Sequence, residues 1–194
     1  MQMRTVDLTP QAAIVARVVD GVRADQLGDP TPCAGTPVAG LLDHLAGLTT
    51  AFRMAAVKET VSGAPRASAD ALAPDWRTRL PRQLEELASA WRAPEAWEGM
   101  AEVAGARLPS GAMGIVALDE VLVHGWDLAV ATGQPYPVDP ASAEACLGFV
   151  TEMTRPGNEE MRSRQFGPVV PVPDDAAVLD RLLGLTGRSP SWRP

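Results

Sequence analysis

The chain of 194 residues is 46% hydrophobic and 21% charged, enough to bury a full core as one domain and too apolar for a disordered protein. Its net charge of -7, with no block of Lys and Arg to override it locally, excludes general attraction to nucleic acid or anionic lipid. No apolar run approaches a membrane span, residues 1–7 do not have the make-up of an export signal, and two cysteines are too few for a disulfide framework; a cytoplasmic, reducing setting is expected.

Helical patterns follow one another along the chain. Thr9 before Pro10 reads as a cap with proline at the first helical position, and Ile14, Val15, Val18, Val19 and Val22 keep one apolar face to about Leu27. Gly28-Asp29-Pro30-Thr31-Pro32-Cys33-Ala34-Gly35 is a rigid loop in which no helix persists. Thr36-Pro37 repeats the start signal, and Val38, Leu41, Leu42, Leu45 and Leu48 mark the buried side of a second helix to about Glu59. His44 lies among those leucines. Gly40 and Gly47 leave space near its ring at a cost of roughly 1 kcal/mol each; close helix packing accounts for them equally well.

Residues 60–74 are rich in Ser, Gly, Ala, Pro and Asp and read as a surface loop. Leu80, Leu84, Leu87 and Trp91 mark a third helix that Pro81 either kinks or starts. Residues 97–109 read as extended, with a small hairpin as one option. Ser110 is placed to cap a fourth long helix carrying Ile115, Leu118, Val121, Leu122 and Leu128 as far as Gly133. Asp139-Pro140 starts a fifth helix to about Thr154, residues 166–173 are extended, and Asp174 leads a short last helix with Leu182 and Leu183. The expected fold class is all-α, an up-and-down four-helix bundle with additional short helices. Residues 1–194 are expected to form a single domain, with 155–194 an extension packed on it.

The chemistry concentrates in Glu120-Val121-Leu122-Val123-His124-Gly125-Trp126-Asp127. Glu120 and His124 leave one helix face a turn apart. The other histidine, His44, lies on the second helix; if the two helices pack side by side, His44, Glu120 and His124 make three ligands for one metal ion. Such a set leaves a position open, as catalytic sites do. The same spacing also suits a core histidine paired with a glutamate. Asp127, on roughly the same side, is either an acceptor that orients His124 or a solvated salt-bridge partner. Asp43 and Asp119 adjoin ligands in sequence but face elsewhere. Cys33 is either a reactive thiol or an incidental loop cysteine.

Thr31-Pro32-Cys33, Thr36-Pro37-Val38, Leu41-Leu42-Asp43-His44-Leu45 and Glu120-Val121-Leu122-Val123-His124-Gly125-Trp126-Asp127-Leu128 resemble the actinobacterial branch of the DinB-like superfamily that includes mycothiol-dependent maleylpyruvate isomerase. The closing Phe166-Gly167-Pro168 and Leu182-Leu183-Gly184-Leu185-Thr186-Gly187-Arg188 resemble the tail of an uncharacterised subgroup. The resemblance implies a DinB-like four-helix bundle with a divalent metal, usually zinc, on residues that map onto His44, Glu120 and His124. It also implies mycothiol as a cosubstrate and a thiol transferase or isomerase reaction on a small electrophile. Two departures stand out: Ala34-Gly35-Thr36 replaces the relatives' Pro-Gly-Trp, and the tail after Arg155 is shorter than the isomerase's separate carboxy-terminal domain. Metal-dependent hydrolysis and non-catalytic small-molecule binding need the same ligands and remain alternatives. A homodimer is plausible for such a bundle.

Overall fold

The computed structural model describes residues 5–60 and 67–194. Within them the elements are α1 (Thr9–Gly21), α2 (Val38–Ala56), α3 (Trp76–Ala90), β1 (Met100–Val103), β2 (Ala106–Pro109), α4 (Ser110–Ala131), α5 (Pro140–Met153), α6 (Glu159–Ser163) and α7 (Val178–Leu185). The expected all-α bundle is formed by α1 to α4, with shorter helices after it. Residues 97–109 take the hairpin option: β1 and β2 pair antiparallel around Ala104 and Gly105, both at positive φ (53° and 81°), as a two-residue turn of the hairpin-favouring kind requires.

Side-chain contacts establish the helix directions. Lys58 Nζ, just past α2, donates to Ser110 Oγ at the start of α4, so α2 and α4 are antiparallel. Arg77 Nη1 at the start of α3 reaches the Val22 carbonyl just past α1, so those two are antiparallel as well. Gln11 bonds Tyr136 Oη, which donates to the Leu122 carbonyl, while Gln26 Nε2 donates to the Thr132 carbonyl; α1 and α4 therefore run together. The order is up-down-down-up: the expected helical bundle is formed, but its second and third helices are parallel where an alternating up-and-down order was expected. The expected loop at residues 60–74 lies partly outside the described residues; of its described part, residues 68–71 lie beside α2, where the Ser68 amide bonds Asp43 Oδ2 at 3.2 Å.

Local starts and stops differ in detail from the sequence expectation. The Thr9 amide bonds Asp7 Oδ1, and Leu8, not Thr9, occupies the cap position. Helix α1 stops at Gly21, well before Leu27, since residues 22 and 23 turn extended and let Gln26 meet the end of α4. Ser110 is the first residue of α4, and its hydroxyl receives Lys58 where a cap had been expected. Asp139 does cap α5, accepting from the Ser142 amide at 2.9 Å. Pro81 sits inside α3.

The core is made by the inward stripes of the four long helices: Val15 and Val19, Leu41, Leu42 and Leu45, Leu80, Leu84 and Leu87, and Leu118, Leu122 and Leu128 are all buried. Each such side chain stabilises the fold by roughly 1.5–3 kcal/mol through burial alone. Helix α5 packs on α4 and α7 on α5, with Leu182 and Leu183 fully buried. Among the described residues no helix is long and apolar enough to cross a membrane.

Candidate metal centre

Helices α2 and α4 pack side by side, and this brings the two histidines of the chain together. The rings of His44 and His124 meet edge to face, with centroids 5.0 Å apart and an interplanar angle of 85°. Glu120, one turn before His124 on the same face, places Oε2 3.1 Å from His124 Nε2. One donor atom from each of His44, Glu120 and His124 lies within 4.8 Å of the other two. Two imidazole nitrogens and one carboxylate oxygen so grouped suit zinc or a similar divalent cation, and three protein donors leave room for a further ligand.

The other nitrogen of His124 faces a second group. Nδ1 is 3.0 Å from Asp127 Oδ2. Arg188 donates to Asp127 through Nη2 at 3.0 Å and Nε at 3.4 Å, two contacts on one carboxylate. The Cys33 thiol donates to Asp127 Oδ2 at 3.1 Å, lies 3.7 Å from His124 Nδ1 and accepts from Arg188 Nη2 at 3.4 Å. Asp127 is fully buried, whereas Cys33 keeps part of its surface open to solvent.

Local backbone chemistry explains how distant segments arrive here. Thr31 Oγ1 donates to the Thr36 carbonyl at 2.7 Å and accepts the Cys33 amide at 3.1 Å, while Gly35 turns the chain at φ 78°. This curls the loop before α2 so that Cys33 points at α4. At the other end, Gly187 at φ 85° packs against Gly167, where a side chain would collide with backbone, and Arg188 Nη1 bonds the Thr186 carbonyl. Gly125 serves α4 in a related way: a Cβ there would strike Val15 and the Tyr136 hydroxyl, so a residue without one lets α1 and Tyr136 close on α4 beside His124.

Electrostatics follow from this packing. Burial opposes charge on Glu120, but the hydrogen bond from His124 and the positive charges of His124, His44 and Arg188 hold its carboxyl below the usual range. For His124, burial works against the imidazolium, yet hydrogen bonds with Asp127, Cys33 and Glu120 push its pKa well above 6.5. Asp127 is likewise buried and is kept ionised chiefly by His124 and Arg188. Asp119 is the exception. It is 3% exposed, its Oδ1 has no hydrogen-bond partner, and burial together with the nearby Glu120 charge raises its pKa to about 8.

The three residues singled out from the sequence are therefore neighbours in space, and Asp127 sits behind His124 as an acceptor rather than on the surface. Asp43 turns to the Ser68 amide. In the sequence Arg188 is only the end of a tail motif, and Cys33 fits a reactive or an incidental thiol equally well. No spacing rule links residues 33, 127 and 188; the signals available were the Thr31/Thr36 turn chemistry and a lone arginine after a glycine.

Comparison with known proteins bears on the family and the fold. The family model of the mycothiol maleylpyruvate isomerase N-terminal domain matches residues 8–129. The chain belongs to that family. An uncharacterized protein of Mycobacterium tuberculosis, present in strains CDC 1551 / Oshkosh and ATCC 25618 / H37Rv, is 28% identical over 176 residues, covering 90% of this chain and 91% of its own. Among solved structures, the mycothiol-dependent maleylpyruvate isomerase superposes with a TM-score of 0.66 at 17% identity, over 95% of this chain and 88% of the enzyme's. A histidine-to-alanine mutant of such an isomerase gives 0.55 at 20% identity, over 84% and 71%. Family membership thus comes with a shared helical fold.

Proposed function

We propose that this protein holds a divalent cation, zinc in the first instance, on His44, Glu120 and His124, and uses it to activate a low-molecular-weight thiol for transfer to, or isomerisation of, a small electrophile. The observation that carries the reading is the meeting of these three donors, from two antiparallel helices, within 4.8 Å of one another. The family and the isomerase structures that share the fold support mycothiol as the thiol. When bound, the cation supplies electrostatic stabilisation that lets a thiol shed its proton near neutral pH.

The chain's own groups have distinct tasks in this scheme. His44, Glu120 and His124 are ligands rather than acid-base groups. Asp127, 3.0 Å from His124 Nδ1, holds the ring so that Nε2 faces the cation position and its proton stays on Nδ1. Arg188 balances the buried Asp127 charge. Residues 155–194 are an extension of the same domain, since they deliver Arg188 to the site. A cytoplasmic setting suits two unpaired cysteines.

The test is direct. Purified protein is analysed for metal, then incubated with mycothiol and a panel of electrophiles, with His44→Ala and His124→Ala as controls. The expected result is metal-dependent loss of thiol, which assigns transfer, or metal- and thiol-dependent conversion of the electrophile with the thiol returned, which assigns isomerisation. Loss of an ester or amide without thiol consumption assigns hydrolysis instead, and binding without turnover assigns a carrier or sensor.

A further inference from the structure

His124 presents each of its ring nitrogens to a different set of donors. Nε2 belongs with His44 and Glu120, and Nδ1 belongs with Cys33 and Asp127. The second set is compact: Sγ to Oδ2 is 3.1 Å, Nδ1 to Oδ2 is 3.0 Å and Sγ to Nδ1 is 3.7 Å. A point roughly equidistant from three atoms so spaced lies close to bond lengths of about 2.0–2.3 Å, those that zinc makes with nitrogen, oxygen and sulfur. A positive charge already stands at this place, because Arg188 directs Nη2 at both Asp127 Oδ2 and Cys33 Sγ.

We propose that Cys33, His124 Nδ1 and Asp127 form a second cation position, selective for thiophilic divalent ions, which the guanidinium of Arg188 covers from the side of Cys33 and Asp127 until such an ion displaces it. One thiolate, one imidazole and one carboxylate make a softer donor set than His44, Glu120 and His124, and softness is what separates the two positions chemically. On coordination Cys33 and His124 Nδ1 each give a proton to solvent, Nε2 keeping its own towards Glu120 while the first position is empty, and the Arg188 head group moves off Asp127 towards water. Cys33 keeps part of its surface open, which provides an entry path, whereas Cys146 is fully buried and has none. The two positions share His124, so filling one affects the other through a single ring.

Cobalt(II) titration of the full chain tests this, because a cysteine ligand produces a near-ultraviolet thiolate-to-cobalt absorption band that nitrogen and oxygen ligands do not. The expected result is a band that appears at high cobalt in the native chain, is abolished by Cys33→Ser and is retained in Cys146→Ser. Removing the competing guanidinium by Arg188→Gln should lower the cobalt needed by about tenfold, a usual size for two ligands coupled through shared groups. The band should persist in His44→Ala, which separates this position from the one proposed above; a band that vanishes with His44 overturns the assignment. Cobalt-saturated Arg188→Gln protein with native far-ultraviolet circular dichroism and no band also overturns it, as does a band that survives Cys33→Ser. If Arg188→Gln loses its helical signal, the native chain at saturating cobalt decides by the same criterion. Cobalt bound without any band leaves the His44, Glu120 and His124 reading standing and removes only this one.

Discussion

The imidazole of His124 and the carboxylate of Asp127 meet at 3.0 Å across one turn of α4, with Asp127 wholly buried and its charge answered by Arg188. Asp127→Asn keeps the shape but weakens the grip on the ring. Zinc affinity should fall by about 10- to 100-fold, the usual effect of losing a group that orients a ligand histidine. Chelator competition against the native protein measures it; an unchanged affinity would show that His124 is oriented by packing alone.

His124→Ala should release most bound metal while the protein stays helical, because the leucine and valine stripes of the four helices supply the folding energy. Elemental analysis and circular dichroism read the two halves of this statement separately. Cys33→Ser should leave the first equivalent of zinc in place.

Metal uptake should depend on pH with a definite sign. The pKa of His124 is raised well above 6.5 by its partners, so a proton competes with the cation to a higher pH than for a free imidazole. Affinity should therefore drop as pH falls, by about tenfold per unit if one proton is released per ion. Without metal the linkage runs the other way for stability: the His124 contribution is complete below the unfolded pKa and is lost as pH rises through the folded one.

Asp119 gives a stability prediction of its own. Its folded pKa of about 8 lies above the ordinary 3.8, so the metal-free protein loses stability as pH climbs from about 4 towards 8, while the folded state alone retains the proton. Asp119→Asn should remove this slope. Denaturant melts at pH 8 should find the variant more stable by roughly 2–5 kcal/mol, and melts near pH 4 should find little difference. A parallel pH dependence in both proteins would refute the assignment.

Gly125→Ala should destabilise the fold by roughly 1–3 kcal/mol, since the added methyl meets Val15 and the Tyr136 hydroxyl. Because the strain falls beside His124, zinc affinity should drop with it; thermal unfolding and metal titration of the same sample report both.

Much of this was legible in the residues themselves. Helical periodicity located α2 and α4, and two histidines in a chain of 194, one of them a turn from a glutamate, already marked where ligand chemistry could gather. What periodicity does not carry is direction: the parallel course of α2 and α3 follows from tertiary contacts such as Lys58 with Ser110 and Arg77 with Val22. Nor does it register Arg188, which reaches Asp127 through a glycine-turned tail. Start signals misled by a residue or so where a competing partner was stronger, as when Lys58 claims the Ser110 hydroxyl.

The up-down-down-up course also bears on the order in which the molecule assembles. Residues 44 and 124 stand eighty positions apart with α3 and the hairpin between them, so bringing them together closes a large loop, at an entropic cost that helix formation within either segment does not carry. An ion spanning both helices would then act as a clasp on a nearly finished molecule. It would chiefly slow the first opening of the native state and leave the rate of collapse almost untouched.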